Sequence, residues 1–208
     1  MPLLSIKGLT VAANGVHLVD GVDLDVEGGK ISALVGESGS GKSLTALAAI
    51  GLLSSNLELI KGRIEFDNVN IAEVSEKEMS SLRGRQISMI FQEPVGSLNP
   101  LAPVGVQVAE SLEVHGIASG KRAFSKAIEL MERVGFPQPE IRAKQLPYEL
   151  SGGMCQRAMI ASALVSKAKV FVGKINRGTI TAISQLGPFV NLIFNRIGIL
   201  KTSLNYIF

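Results

Sequence analysis

Apolar positions recur every second residue through "LLSIKGLTV" and "HLVDGVDLDVEGGK", the period of half-buried antiparallel strands ending at a Gly28-Gly29 turn. "ISALV" then reads as a short buried strand, the glycine-rich "GESGSGKS" follows it directly, and "LTALAAIGLL" continues as an apolar helix. "GRIEFDNVNI" predicts another strand, followed by the polar run "AEVSEKEMSSLRGRQ", and "ISMIFQEP" predicts a buried strand ending at Pro94. From Gly96 to about Gly120 the pattern is loop and helix. In "KRAFSKAIELMERVGFP" the spacing places Phe124, Ile128, Met131 and Val134 on one helical face, with Gly135 and Pro137 as stop signals. Ser151 is the expected N-cap of a helix through "MCQRAMIASALVS", and "KVFV" begins another buried strand. Beyond Val172 neither period is evident.

Composition narrows the class. A chain of 208 residues supports one domain, or one domain with a helical insertion. Mean hydropathy is +0.31, yet no run of about 18 apolar residues occurs. "LGPFVNLIFNRIGIL" is interrupted by Asn191, Asn195 and Arg196, so no membrane span is expected. "MPLLSIKGLT" lacks the basic and apolar regions of a signal peptide. The single cysteine, Cys155, forms no internal disulfide, and the expectation is a cytosolic chain.

Net charge is +3, with a marked asymmetry. Residues 173–208 hold 4 of the 21 basic residues and no acid, leaving 17 basic against 18 acidic residues upstream, a balance of −1. No basic patch interleaved with aromatics accompanies that excess, so nucleic acid is not an expected partner.

"GESGSGKS", Gly36 to Ser43, matches the pattern G-x-x-x-x-G-K-[ST]. Glycines in such a loop let the backbone approach phosphate oxygens closely, so that successive N–H groups point at them. Gly36, Glu37, Ser38, Gly39, Ser40, Gly41, Lys42 and Ser43 are therefore candidate nucleotide-binding residues, with Lys42 directed at the β- and γ-phosphates and the Ser43 hydroxyl at Mg²⁺. The strand before the loop and the helix after it supply the context that the motif needs.

P-loops serve GTPases, kinases and ATPases alike, and a second stretch narrows the choice. "LSGGMCQR", Leu150 to Arg157, resembles the signature of ABC-transporter ATPases, with Met154 in place of the usual glutamine. "FQEPVGSLNPL" resembles the Q-loop region of that family. The wording most resembles ATP-binding subunits of peptide and nickel importers, over about residues 4–172. The resemblance implies an α/β P-loop NTPase of ABC type with N-terminal antiparallel strands and a helical subdomain at about 96–150, incomplete at the C-terminus. It implies ATP and Mg²⁺ as cofactors, Gln92 near the metal and the γ-phosphate, and Ser151, Gly152 and Gly153 on the γ-phosphate of ATP held by a second subunit. The implied partners are inner-membrane permease subunits and a second ATP-binding subunit, like or unlike. The implied location is peripheral, on the cytoplasmic face of the membrane.

Beyond Met154, the sequence departs from the family at three places. Where many members stack an aromatic on adenine, the chain carries Ala13 or its neighbours, with His17 the nearest ring, read as a surface histidine. Loss of stacking costs about 1–3 kcal/mol by analogy with nucleic-acid bases. At the positions of the family's metal-orienting aspartate and catalytic glutamate stand Lys174 and Ile175, and the family's switch histidine has no counterpart, since His17 and His115 both precede the signature. A missing general base costs about 10²–10⁴-fold in rate. A lysine about 4 Å from a metal is repelled by roughly 4 kcal/mol per unit charge at an effective dielectric of 20. Glu93 is a weak stand-in, and the last acid of the chain is Glu149.

The expectation is thus an ATP-binding, hydrolysis-deficient chain, with residues 1–172 a partial nucleotide-binding domain and 173–208 unrelated text such as a shifted reading frame produces. The alternative is a non-catalytic ATP-binding module that docks on a permease or a full-length subunit.

Overall fold

The computed structural model describes residues 1–28, 30–91, 93–174 and 192–196. The chain divides into two units, one formed by residues 1–83 with the strand at 192–196, the other by residues 84–174.

In the first unit, β1 (Leu4–Ala13) is central in an antiparallel sheet of order β2-β1-β4-β5, flanked by β2 (Val16–Val26) and β4 (Glu58–Phe66), with β5 (Val69–Asn70) beyond. Pairing on both edges explains why β1 buries Leu4, Ile6, Leu9 and Val11 completely, whereas β2 keeps the alternation read from the sequence. Asn14 and Gly15 form the two-residue turn between β1 and β2, at φ 49° and 77°, the left-handed pair that suits the twist of a hairpin. The β1–β4 register shifts between Lys7 and Thr10, and there Gly62 (φ 114°) lets β4 come so near that an added Cβ would lie 2.6 Å from Leu9 Cα.

β3 (Ile31–Val35) leads into the glycine-rich loop and α1 (Lys42–Ala48). Two expectations are corrected here. The helix is shorter than the apolar run "LTALAAIGLL" implied, ending before Gly51 at φ 62°. β3 is not a buried strand either: Ala33 and Val35 are exposed, Val35 at 68%, and Ser32 and Leu34 are half-buried, because among the described residues no element covers the face that carries Ala33 and Val35. Its partner is β8 (Leu192–Arg196), parallel, in the register Ile31↔Leu192 to Val35↔Arg196. A strand thus lies within the tail, where no strand period was evident in the sequence. α2 (Glu76–Leu82) completes the unit with a capping box in which Ser75 accepts from the Glu78 amide and Glu78 accepts from the Ser75 amide.

In the second unit, the two apolar runs form strands as expected, β6 (Ile87–Ile90) and β7 (Val170–Lys174), and the two pair in parallel. After α3 (Pro94–Ser97), the helices α4 (Val104–Val114), α5 (Gly120–Arg133) and α7 (Gly152–Leu164) pack on one another, with the short α6 (Pro139–Arg142) and a 3₁₀ turn, Pro147–Glu149, between them. The buried face of α5 is wider than the sequence reading. Ala123, Ala127, Leu130 and Met131 are its buried residues, while Phe124 and Ile128 lie half-buried at its flank. Alanines at i and i+4 let α5 approach its neighbours closely, and their small side chains carry little weight in a hydrophobic pattern.

Candidate functional site

The glycine-rich loop owes its shape to two left-handed residues, Gly39 (φ 84°) and Gly41 (φ 79°), the second of which is the N-cap of α1. Gly36 is also crowded: a Cβ there would stand 2.7 Å from Ser40 Oγ. Lys42 is the first helical residue and is buried, 8% exposed. Its Nζ donates to the carbonyl oxygen of Glu37 and, at 3.0 Å, to Ser40 Oγ, so the ammonium turns back into the ring of the loop. Thr45 Oγ1 donates to Gly41 O at 3.0 Å, and the Thr45 amide to the same oxygen at 2.8 Å, closing the first helical turn. Glu37, Ser38 and Ser43 are exposed on the rim. A cavity of about 200 Å³ is lined by Leu18 and by Gly39 to Leu44.

Leu18 and Val19 of β2 were not legible as site residues. Gly41 rests on them, with Leu18 O and Val19 Cγ2 both under 3.0 Å from the place of its missing Cβ. In the sequence they are merely apolar positions of a strand. His17 is an exposed side chain with Nδ1 3.7 Å from Asp20 Oδ1, in line with the surface reading, and Ala13 ends β1 half-buried.

In the second unit, Ser151 is the N-cap of α7, at φ −70° and ψ 156°, and its Oγ accepts from the Met154 amide at 3.3 Å. Gly152 and Gly153 are exposed, and a Cβ on either would meet nothing within 4 Å. Their lack of side chains answers no contact among the described residues. Behind this turn Cys155 Sγ donates to Pro147 O at 3.3 Å, burial pushes its thiol up from the ordinary value, and Arg157 donates to Gly135 O at the end of α5. Glu93 is exposed at the N-cap of α3. Gln92, Ile175, the Lys174 side chain and the tail from 197 lie outside the described residues.

The loop's residues suit a phosphate group. No group of three or more His, Cys, Asp or Glu able to hold a metal ion occurs among the described residues. A loop of backbone amides with one cation and one serine suits instead a metal that arrives with phosphate oxygens as most of its ligands.

A family model described as ABC transporter matches residues 19–172. The chain belongs to the ABC transporter family. The match ends at Val172, directly before Gly173, Lys174 and Ile175. Among relatives of this ABC chain, the oligopeptide transport ATP-binding protein OppD of Bacillus subtilis is 42% identical over 175 residues, 82% of this chain and 49% of the relative. The dipeptide transport ATP-binding protein DppD of Lactococcus lactis is 40% identical over 175 residues, 82% of this chain and 50% of the relative. The ABC chain spans about half the length of the curated relatives it matches. Among solved structures, a dimeric ATP-binding cassette in a post-hydrolysis state with ADP and Pi superposes with a TM-score of 0.80 at 21% identity, covering 93% of this chain and 88% of that one. A component of an ABC transporter complex from Clostridium perfringens gives 0.74 at 23% identity, over 95% and 79%. These likenesses establish the ABC ATPase fold expected from the sequence. No helix among the described residues is long and apolar enough to cross a membrane.

Proposed function

We propose that this chain binds ATP with Mg²⁺ as part of the nucleotide-binding subunit of an ABC importer for peptides, and that it does not hydrolyse the nucleotide at a useful rate. The observation that carries the first half is the buried Lys42, held by Glu37 O and Ser40 Oγ within a loop shaped by Gly39 and Gly41. An arriving phosphate exchanges two neutral acceptors for charged oxygens, which form stronger bonds to an ammonium. Ser43 would ligate Mg²⁺, and Gln92 would face it. The metal supplies charge neutralisation along the phosphates, while the chain's own part is to fix their position through loop amides and Lys42. The open Ser151-Gly152-Gly153 turn is suited to the phosphate of a nucleotide held by a second subunit, like or unlike. The helical part of the second unit would meet the permease at the cytoplasmic face of the membrane. Peptides rather than nickel are favoured because the relatives just named are peptide transporters.

The second half rests on Lys174 and Ile175, which stand where the family pattern has its two acids. Those residues favour a second reading of the same site, a nucleotide-dependent docking module without turnover.

Equilibrium binding of a fluorescent ATP analogue, with and without Mg²⁺, tests the proposal together with phosphate release. Binding that Lys42→Ala abolishes, with phosphate release at background, is the expected result. Release that scales with protein and disappears in Lys42→Ala overturns the hydrolysis deficiency. Absence of binding by a cooperatively folded chain overturns the reading as a whole. Competition by GTP as strong as by ATP would mean that the site does not select adenine.

A further inference from the structure

We propose that Asn14 is a site of spontaneous covalent modification, losing ammonia to form a succinimide that water opens to aspartate and isoaspartate. Asn14 and Gly15 are the whole of the turn between β1 and β2, since Ala13 pairs with Val16 and Ala12 with His17. Both turn residues are exposed. A Cβ placed on Gly15 would meet nothing within 4 Å, and among the described residues its amide makes no hydrogen bond. The pairs that close the ladder lie outside the turn, and among the described residues no hydrogen bond holds the Asn14 carboxamide.

The chemistry needs only these two residues and water. The Gly15 backbone nitrogen attacks Asn14 Cγ, the Cγ–Nδ2 bond breaks, and Nδ2 departs as ammonia carrying the proton that the amide nitrogen gives up. Water then adds to one of the two ring carbonyls, yielding either aspartate or a chain routed through the side-chain carbon. No electrons change hands. Ring closure requires the turn to relax from its left-handed geometry, and a hairpin tip is where such opening costs least.

Comparison within the molecule singles out this position. No other asparagine in the sequence precedes a glycine. Asn68 and Asn70 precede β-branched Val69 and Ile71, and Asn99 precedes Pro100, which has no amide hydrogen to surrender. Asp20-Gly21 is the related acidic step, but there the Gly21 amide donates to Thr10 Oγ1 at 3.3 Å inside the sheet. Conversion at Asn14 adds a carboxylate three residues from His17 and, in the isoaspartyl product, one extra backbone carbon to a two-residue turn whose register is fixed. Leu18, on the wall of the phosphate-loop cavity, lies just beyond.

The test is incubation of the whole folded chain at mildly acidic, neutral and mildly alkaline pH, followed by tryptic mapping. Residues 8–30 form one peptide with Asn14 as its single asparagine. The expected result is a mass gain equal to exchange of NH₂ for OH, localised to Asn14 by fragmentation, first order in time and faster at higher pH. Isomerisation at Asp20 leaves mass unchanged and is thereby separated. Gly15→Ala should slow the gain, and because that substitution strains the turn, Asn14→Asp serves as a folded control that gains nothing. The proposal is overturned if the folded chain keeps Asn14 intact while the free peptide 8–30 gains mass under the same conditions. It is equally overturned if other asparagines convert first.

Discussion

Gly41 and Val19 are in contact through a space that only glycine leaves free: a Cβ on Gly41 would lie 2.7 Å from Val19 Cγ2 and 2.9 Å from the backbone oxygen of Leu18. Gly41→Ala must therefore both adopt φ 79° and push β2 away. The expected cost is at least about 1 kcal/mol, read from the denaturant midpoint, with weaker nucleotide binding. Adding Val19→Ala removes the side-chain clash but not the one with Leu18 O, so the double variant should recover part of the loss. Complete recovery would mean that the backbone contact is unimportant.

Lys42→Met separates binding from folding. The methionine chain can fill the place of the lysine stem, and the acceptors it abandons, Glu37 O and Ser40 Oγ, sit in an exposed loop that water reaches. Nucleotide binding should vanish while thermal unfolding stays cooperative with little change in Tm. A large fall in Tm would show that the ammonium is a structural pin of the loop.

Arg83 is the fastening of the other end of α1. Its Nε donates to Ile50 O at 2.8 Å, its Nη2 to Gly51 O at 2.6 Å, and Glu76 accepts from Nη1 and Nη2, while the side chain is 20% exposed. The guanidinium beside Glu76 holds that carboxyl below its ordinary value. Arg83→Ala should cost about 1.5–3 kcal/mol, the worth of hydrogen bonds to a charged group. Arg83→Lys should restore little, because a single ammonium cannot span a two-carbonyl fork. Urea titration of the three proteins decides.

Ser151→Ala removes the acceptor for the Met154 amide and should cost about 1 kcal/mol. Ser151→Asp keeps an N-cap and should keep stability, while placing a negative charge where the proposed function puts a phosphate. A stable Ser151→Asp chain that no longer assembles with nucleotide, seen by light scattering, is the expected pattern.

Lys7 and Asp25 give a pH signature. Lys7 Nζ lies 2.7 Å from Asp25 Oδ2, and Ser5 Oγ donates to the other carboxylate oxygen. Lys7, then Ser5, holds the Asp25 carboxyl below its ordinary value, and the bond to Asp25 raises Lys7. A lowered carboxyl contributes stability above its unfolded pKa and loses it as pH falls through the folded one. The raised ammonium contributes below its own unfolded pKa and loses that as pH climbs through the folded value. Stability against pH should therefore fall away at both the acid and the alkaline end, and Asp25→Asn should flatten both limbs slightly, both partners being about half exposed.

Much of this was legible in advance because the signals were local. The period of β1 and β2, the glycine spacing of the phosphate loop and the serine cap of α7 each need only a few neighbouring residues to be read. What escaped depended on contacts distant in sequence. Val19 belongs to the site only because β2 happens to back Gly41, and the exposure of Val35 depends on what covers the face of β3. The buried face of α5 takes in Met131 and Val134 as the spacing placed them, and is wider than the spacing shows because alanine carries close packing without carrying hydropathy. The strand at 192–196 lies in a tail whose polar interruptions hide its period, and parallel pairing sets its register from the other strand.

That pairing fixes an order of events during synthesis. β3 and the phosphate loop leave the ribosome early, whereas Leu192–Arg196, hydrogen-bonded to β3, emerge only after every residue of the second unit has been made. Until then the edge of β3 that they cover is bare, and a nascent chain carries an unpaired strand beside its most glycine-rich segment. The phosphate loop is written before the second unit and the strand that pairs with β3 after it, so a pause in translation anywhere between the two prolongs the interval in which a chaperone, or another nascent chain, can occupy that edge.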